Sequence, residues 1–516
     1  MVSSCQPGNS YLRDCRLLEY MTEEDYRADA VVVGAGTAGM TFAIAAADQG
    51  LHVIAVEKSD RVGGTLHITG GAMSAAGTRL QHEAGIEDSP EAHYEEVMEI
   101  GNGEGDPDLV RLAVEEAPKT VDWLDDLGFP FTPESPGTQL SHEPYSTPRE
   151  YWGVNAGKSI LRTIRPLWDD HVTAGRIEPL LETECTGLIV ENGAVQGVRA
   201  QGVTGPVEVR ADHTVLATGG YGANPNFFAE VVPDAPTLVT NAAETSTGDG
   251  IRIAREVDAD FEGADLRLPI LGGVKVERES RRVDWRRRWA LVVNPDRHEP
   301  HEIYVTADGE RFLREDESSV AARQETVGDL SQSAFWVVFD ERGLEAPEQP
   351  IIRDRSTDYV RELATEGGVA WRADSIQELG GRAGIDPNGL EATVTAYNEG
   401  VRAGEDPLGR EFLPAPINDP PFYAILTHDT TLVTFGGLQV DADLRVLDVD
   451  GNSIPNLYAA GEALGAGATS GGDFAGGMMV TPALSFGRVL GRRLASDRND
   501  ATELADDRDD TTSIGS

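Results

Sequence analysis

Gly34, Gly36 and Gly39 stand in the spacing Gly-x-Gly-x-x-Gly, directly after the apolar run Ala28-Asp-Ala-Val-Val-Val33. In that context each glycine has a physical task. Gly34 permits a tight turn, Gly36 lets the backbone approach a pyrophosphate, and Gly39 lets helix and strand pack closely. Thr37 and Ala38 open the small-residue helix that follows, whose N–H groups and positive dipole end suit phosphate oxygens. Glu57 closes the next apolar run, His52–Val56, and can accept ribose hydroxyls. The chemistry is dinucleotide binding, a device shared by NAD and FAD.

Further glycine segments recur at distant points: Gly63-Gly64-Thr65 with Gly70-Gly71, Ala217-Thr218-Gly219-Gly220, Thr247-Gly-Asp249-Gly250, and Leu457-Tyr-Ala-Ala-Gly461-Glu462. With these the chain resembles the flavoprotein family of fumarate reductase, succinate dehydrogenase and 3-ketosteroid dehydrogenases, over about residues 29–495. The resemblance implies FAD in an extended pose, a mobile capping domain near 266–419, and an active site between the two. It assigns Gly34, Gly36, Gly39, Glu57 and Lys58 to the adenosine and pyrophosphate site, and Gly64, Thr65, Gly70 and Gly71 to the isoalloxazine. Cys185 falls on the adenine side, and Ala217, Thr218 and Gly219 on a flavin-side turn. Asp249 falls beside the ribityl chain, and Glu462 matches an acid that holds hydroxyls. Gly476-Gly477-Met478-Met479-Val480 matches the start of the last helix, whose dipole would face the pyrimidine edge of the flavin. Covalent members carry a His six residues before the paired glycines. That slot is Gly64 here and His67 lies only three before, so FAD is expected to be non-covalent.

The substrate site departs from the family pattern. Ser319 stands where fumarate reductases carry an Arg after Gly309-Glu-Arg-Phe-Leu-Arg-Glu315, Val433 stands at a His slot, and Phe474 replaces an Arg. Without those groups a dicarboxylate loses its bidentate clamps. The pocket is expected to be apolar, lined by Phe435, Phe474, Met478 and Met479, and to suit a cyclic ketone or another apolar carbonyl compound. In the steroid-type alignment Gly477 supplies an N–H to the carbonyl oxygen, the partner Tyr falls on Asp473, and the base Tyr on Ser319. Desaturation beside a carbonyl needs a base for the α-proton, an electrophile, and the flavin as hydride acceptor. Base candidates are Tyr145, Tyr151, His142 and Glu317; each Tyr could equally be tied to backbone, and Glu317 could be a turn acid. His428 beside Asp429 is either a proton relay or a loop ion pair. The electron acceptor is open, with a quinone among the options. No metal site is expected.

These residues need elements to carry them. The pattern at the chain start is one βαβ unit. Residues 88–128 read as amphipathic helix, 129–158 as loop, and 176–217 as alternating strands. The expected fold is α/β, a Rossmann-like FAD-binding domain interrupted by an inserted α+β capping domain. The expected limits are a tail at 1–28, the FAD domain at 29–265 and 420–496, the cap at 266–419, and a disordered acidic tail at 497–516, with the last helix near 480–496. Met21 is an alternative start.

Composition bounds the rest. The chain has 516 residues, with 43 Lys+Arg against 88 Asp+Glu and a formal charge of −45. That sign argues against nucleic-acid partners. Only Lys58, Lys119, Lys158 and Lys275 are lysines, a balance that suits high salt. Three cysteines make no disulfide framework, and no apolar run is long enough to span a membrane. A cytoplasmic enzyme is expected. The run Arg281-Arg-Val-Asp-Trp285-Arg-Arg-Arg-Trp289 is either a surface loop or a contact with an anionic membrane.

Overall fold

In the computed structural model the described residues are 24–138, 143–232, 238–264, 270–283, 298–330, 334–346, 351–352 and 355–512. His142 and the Trp285–Trp289 part of the basic run lie outside them.

Two sheets organise these residues. The first has eight strands, and six form its path in the order Arg445–Leu447, Ser453–Ala459, Pro206–Leu216, Glu24–Val33, Val53–Val56, Ile177–Leu180. The last five of these run parallel. Strands Glu184–Glu191 and Ala194–Gln201 join it through antiparallel pairing on Pro206–Leu216. Ala30–Val33 and Val53–Val56 are apolar on both faces because helices cover both faces of a parallel sheet. One of these is the first helix, Thr37–Asp48, and against it lies the last helix, Val480–Thr512. The contact is backbone-close: a Cβ on Gly487 would sit 2.4 Å from Ala38 O, and one on Gly491 would sit 2.6 Å from Ala46 N. This explains why the first helix is built of Ala, Gly and Thr.

The second sheet has five strands, in the order Ile270–Gly273, Phe422–Thr430, Ala334–Asp340, Ile303–Val305, with Ala370–Ala373 also on Phe422–Thr430. It has apolar clusters of its own, around Phe335, Phe339 and Tyr423 and around Leu379, Leu390 and Tyr397. A nucleotide sheet assembled from both ends of the chain, around a separately cored insertion, is the interrupted architecture expected.

Three limits are corrected. The first strand begins at Glu24, not 28, because Glu24–Ala28 pairs with Val207–Ala211. The cap does not end at 419: Phe422–Thr430 pairs with three cap strands and is the middle of that sheet. A strand pattern shows that a strand forms, not which sheet takes it. Finally, helix continues to Thr512 through the stretch expected to be a disordered tail. Residues 88–128 form two helices, Pro90–Ile100 and Pro107–Asp126, capped by Ser89 and Asp106.

Candidate active site

The nucleotide end is built on glycine geometry. Gly34 turns at φ +94°, and a Cβ on Gly39 would lie 1.9 Å from Gly34 O. The helix beginning at Thr37 has neither a side-chain cap nor an acid in its first turn, which leaves that end suited to an external anion. Gly36 faces Gly64: a Cβ on Gly64 would sit 3.0 Å from Gly36 Cα, while one on Gly36 meets nothing nearer than 3.9 Å. Two bare backbones so placed fit a pyrophosphate. Glu57 is buried; it accepts N–H bonds from Ala35 (2.8 Å) and Ser59 (2.8 Å), which fixes a carboxylate with lone pairs to spare for hydroxyls.

Lys58 and Asp249 form an ion pair. Lys58 Nζ donates to Asp249 at 2.6 Å and also to Thr247. Burial raises the Asp249 carboxyl, but the bonds from Lys58 and Thr247 outweigh it and hold the group below its ordinary value. The Lys58 charge is therefore matched by a carboxylate. Asp249 also lies within electrostatic reach of Cys185. Burial pushes the Cys185 thiol up to about 12, so it packs and does not react.

Toward the flavin end, Gly63 and Gly64 open a short 3-10 turn that carries Thr65 and His67. His67 Nε2 is 3.0 Å from Val62 O. Gly70 has open space around it, whereas Gly71, at φ +70°, packs on Gly157. Ala217 donates its N–H to Val33 O, and the buried Thr218 hydroxyl lacks a hydrogen-bond partner. Beyond the strand Ser453–Ala459, a small crevice, of about 10 Å³, is lined by Gly461, Leu464, Thr469, Met479, Pro482 and Phe486. Glu462 is drawn inward. Burial raises its carboxyl, while the Thr434 N–H (3.0 Å) and hydroxyl (3.3 Å) bind it, tying two loops together.

The start of the last helix is braced from behind. Tyr145 OH donates to Gly476 O at 2.8 Å and lies 3.4 Å from His93. Burial pushes its phenol well above the ordinary range. Tyr151 is fully buried, 2.6 Å from the Thr78 hydroxyl, and burial raises its phenol too. Neither phenol is disposed as a base, because an ionised form would lose solvation and face neighbouring carboxylates. Gly477 adopts φ +76°, and a Cβ there would lie 2.3 Å from Ser74 N. The Met73–Ser74 backbone by itself requires glycine here. Thr469 donates to Met478 O at 2.7 Å, and Met478 is buried, as is Phe435. Of the four expected pocket residues, Met479 lines the crevice described above.

In the cap, Ser319 caps the helix Val320–Gly328. Its hydroxyl donates to Glu143 Oε1 at 3.0 Å. Glu317 accepts from Ser319 N, a turn acid. His428 is buried and neutral, shifted down to about 4 by burial and by Lys275. The spacing Arg311-x-x-x-Glu315 is a buried ion pair, joined by Asp406 and Arg410, that holds the cap core. Sequence reasoning passed over that pair although its i, i+4 spacing shows it. Asp473, at the partner-Tyr slot, is raised by burial, relieved by Asn102, and raised again by Glu143, Glu104 and Glu325.

This fold, with glycine backbones flanking one channel and an acid at the strand end, is that of an FAD-dependent flavoprotein, and the residues present fit FAD. The family model described as FAD binding domain matches residues 29–477, and the chain belongs to that family, whose members here include fumarate reductases and ketosteroid dehydrogenases acting on carbon–carbon bonds. It is 30% identical over 471 residues to NADH:fumarate oxidoreductase of Klebsiella pneumoniae (strain 342), covering 90% of this chain and 47%, about half, of that relative. It is 30% identical over 475 residues to fumarate reductase (cytochrome) of Shewanella frigidimarina, covering 90% and 77%. It is 26% identical to 3-oxosteroid 1-dehydrogenase of Mycobacterium tuberculosis (strain CDC 1551 / Oshkosh), covering 92% and 99%. Among solved structures, the open conformation of a flavocytochrome c3 fumarate reductase superimposes with a TM-score of 0.72 at 25% identity, covering 95% of this chain and 81% of that one. The 3-ketosteroid delta1-dehydrogenase of Sterolibacterium denitrificans also gives 0.72, at 21% identity, covering 92% and 100%. Among the described residues no helix is long and apolar enough to cross a membrane.

Proposed function

We propose that this oxidoreductase desaturates a CH–CH bond next to a carbonyl in an apolar, uncharged substrate of the cyclic-ketone kind. The observation that carries this is Asp473. It stands next to Phe474, the slot from which the clamping Arg is missing, with Glu104, Glu143 and Glu325 acting on it electrostatically. Like charge repels a dicarboxylate where bidentate cations would attract it. Bound FAD supplies the two-electron acceptor. The chain's own part is to orient it through Glu57 and the glycine channel, to present the N-terminal end of the last helix, and to hold a proton acceptor at the domain boundary. Ser319 takes that place, passing its own hydroxyl proton to Glu143 Oε1 as it accepts the α-proton, in preference to Tyr145 and Tyr151, whose hydroxyls brace Gly476 and Thr78. FAD is held without a covalent link, because Gly64 and not a His stands six residues before Gly70. The enzyme works in a salty cytoplasm and passes electrons to an acceptor such as a quinone.

The test is anaerobic titration of the FAD-loaded protein with cyclic ketones, 3-ketosteroids and acyl thioesters, followed at the flavin band. Bleaching by a ring ketone supports the reading. A second reading, an ene-reductase of the fumarate type, is favoured by the 30% identity to fumarate reductases. Rapid reoxidation of the reduced protein by micromolar fumarate would establish it instead.

A further inference from the structure

Glu143 belongs to the loop of the nucleotide domain that leads into the strand Glu150–Tyr151, yet its partners lie in the cap. Its Oε1 accepts from the Ser319 hydroxyl (3.0 Å) and from Ala321 N (2.9 Å). The helix Val320–Gly328 has no acid in its first turn; its own cap, Ser319, satisfies Ala322 N (3.2 Å). The negative charge that its positive end favours is supplied by the other domain. The two domains also meet at a seam of main-chain bonds, in which Thr240 and Asn241 bind Arg281, Val283 and Thr431. Main-chain bonds at the seam are available to almost any sequence. The Glu143 contact depends on one side chain and lies within electrostatic reach of Asp473.

We infer that Glu143 is a positioning residue: by capping a cap-domain helix from the nucleotide domain, it holds the cap closed over the flavin and sets where Ser319 stands. The inference rests on the cleft between domains being the substrate site, as proposed above. Its test needs no substrate, so the two can fail separately. If the capping bond is broken, the cap should swing on the seam while each domain keeps its own core.

The experiment uses the FAD-loaded full chain as wild type, Glu143→Ala, Glu143→Gln, Glu143→Asp and Ser319→Ala, in molar KCl. Amide hydrogen exchange is followed over 319–328 and, as an internal control, over 480–496. Access to the flavin is read as the second-order rate of bleaching by dithionite. The expected result for Glu143→Ala is exchange over 319–328 faster by about tenfold, with 480–496 unchanged and bleaching faster by about fivefold. Glu143→Asp should restore part of both effects, and Glu143→Gln less. Ser319→Ala should fall between. Two results would overturn the inference: bleaching at the wild-type rate in Glu143→Ala, or exchange that rises equally in 480–496, which would mean general destabilisation.

Discussion

At the scale of single residues, two glycines with the same motif standing have different reasons to exist. Gly36 has open space before it and Gly477 has the Ser74 backbone against it. Gly36→Val is therefore expected to fold but lose its flavin, read as the absorbance ratio of flavin to protein. Gly477→Val is expected to lower the thermal midpoint of the apoprotein, because both its backbone angle and its neighbour refuse a side chain. His428 gives a pH test. Burial, then Lys275, holds its folded value near 4 against 6.5 unfolded. The unfolded chain binds the extra proton between those values, so stability is complete above 6.5 and is lost as pH falls toward 4. The full loss is on the order of 3 kcal/mol. His428→Asn should melt with a smaller drop between pH 7.5 and 5 than the wild type, measured in the same salt.

At the scale of elements, the legible parts were the local ones. The βαβ unit with Gly34–Gly39 could be read because strand, turn and helix lie within one short stretch. The partnership of Lys58 with Asp249 spans 191 residues, and nothing in either neighbourhood announces it. The partners of Tyr145 and Tyr151 were not legible, since a sequence shows a phenol but not that a carbonyl or a threonine has claimed it. The strand Phe422–Thr430 was visible and its sheet was not. The helix start is a better place to test design. Tyr145→Phe removes the bond to Gly476 O and should cost about 1 kcal/mol in chemical denaturation. Glu315→Ala, which takes the carboxylate from the buried Arg410 and leaves Arg311 with Asp406, should cost about 3–5 kcal/mol.

At the scale of the molecule, the charge of −45 is held by a surface with four lysines. Self-repulsion of that size opposes a compact state unless salt screens it, with a screening length of about 3 Å at 1 M against about 10 Å at 0.1 M. The thermal midpoint should rise by several degrees between 0.1 M and 2 M KCl, and flavin should be lost on dialysis to low salt. Equal midpoints by calorimetry would remove the salt adaptation.

Both sheets are completed late in the order of synthesis. The cap waits for Phe422–Thr430, and the nucleotide sheet waits for Ser453–Ala459 to settle on Thr214–Leu216. On a ribosome moving at about 5–20 residues per second, the nascent chain therefore spends tens of seconds with an unpaired edge. An open strand edge is a template for another chain. A polypeptide stalled at residue 419 carries two such edges at once, and its exposure to misassembly ends only when the stretch Ser453–Ala459 has left the exit tunnel.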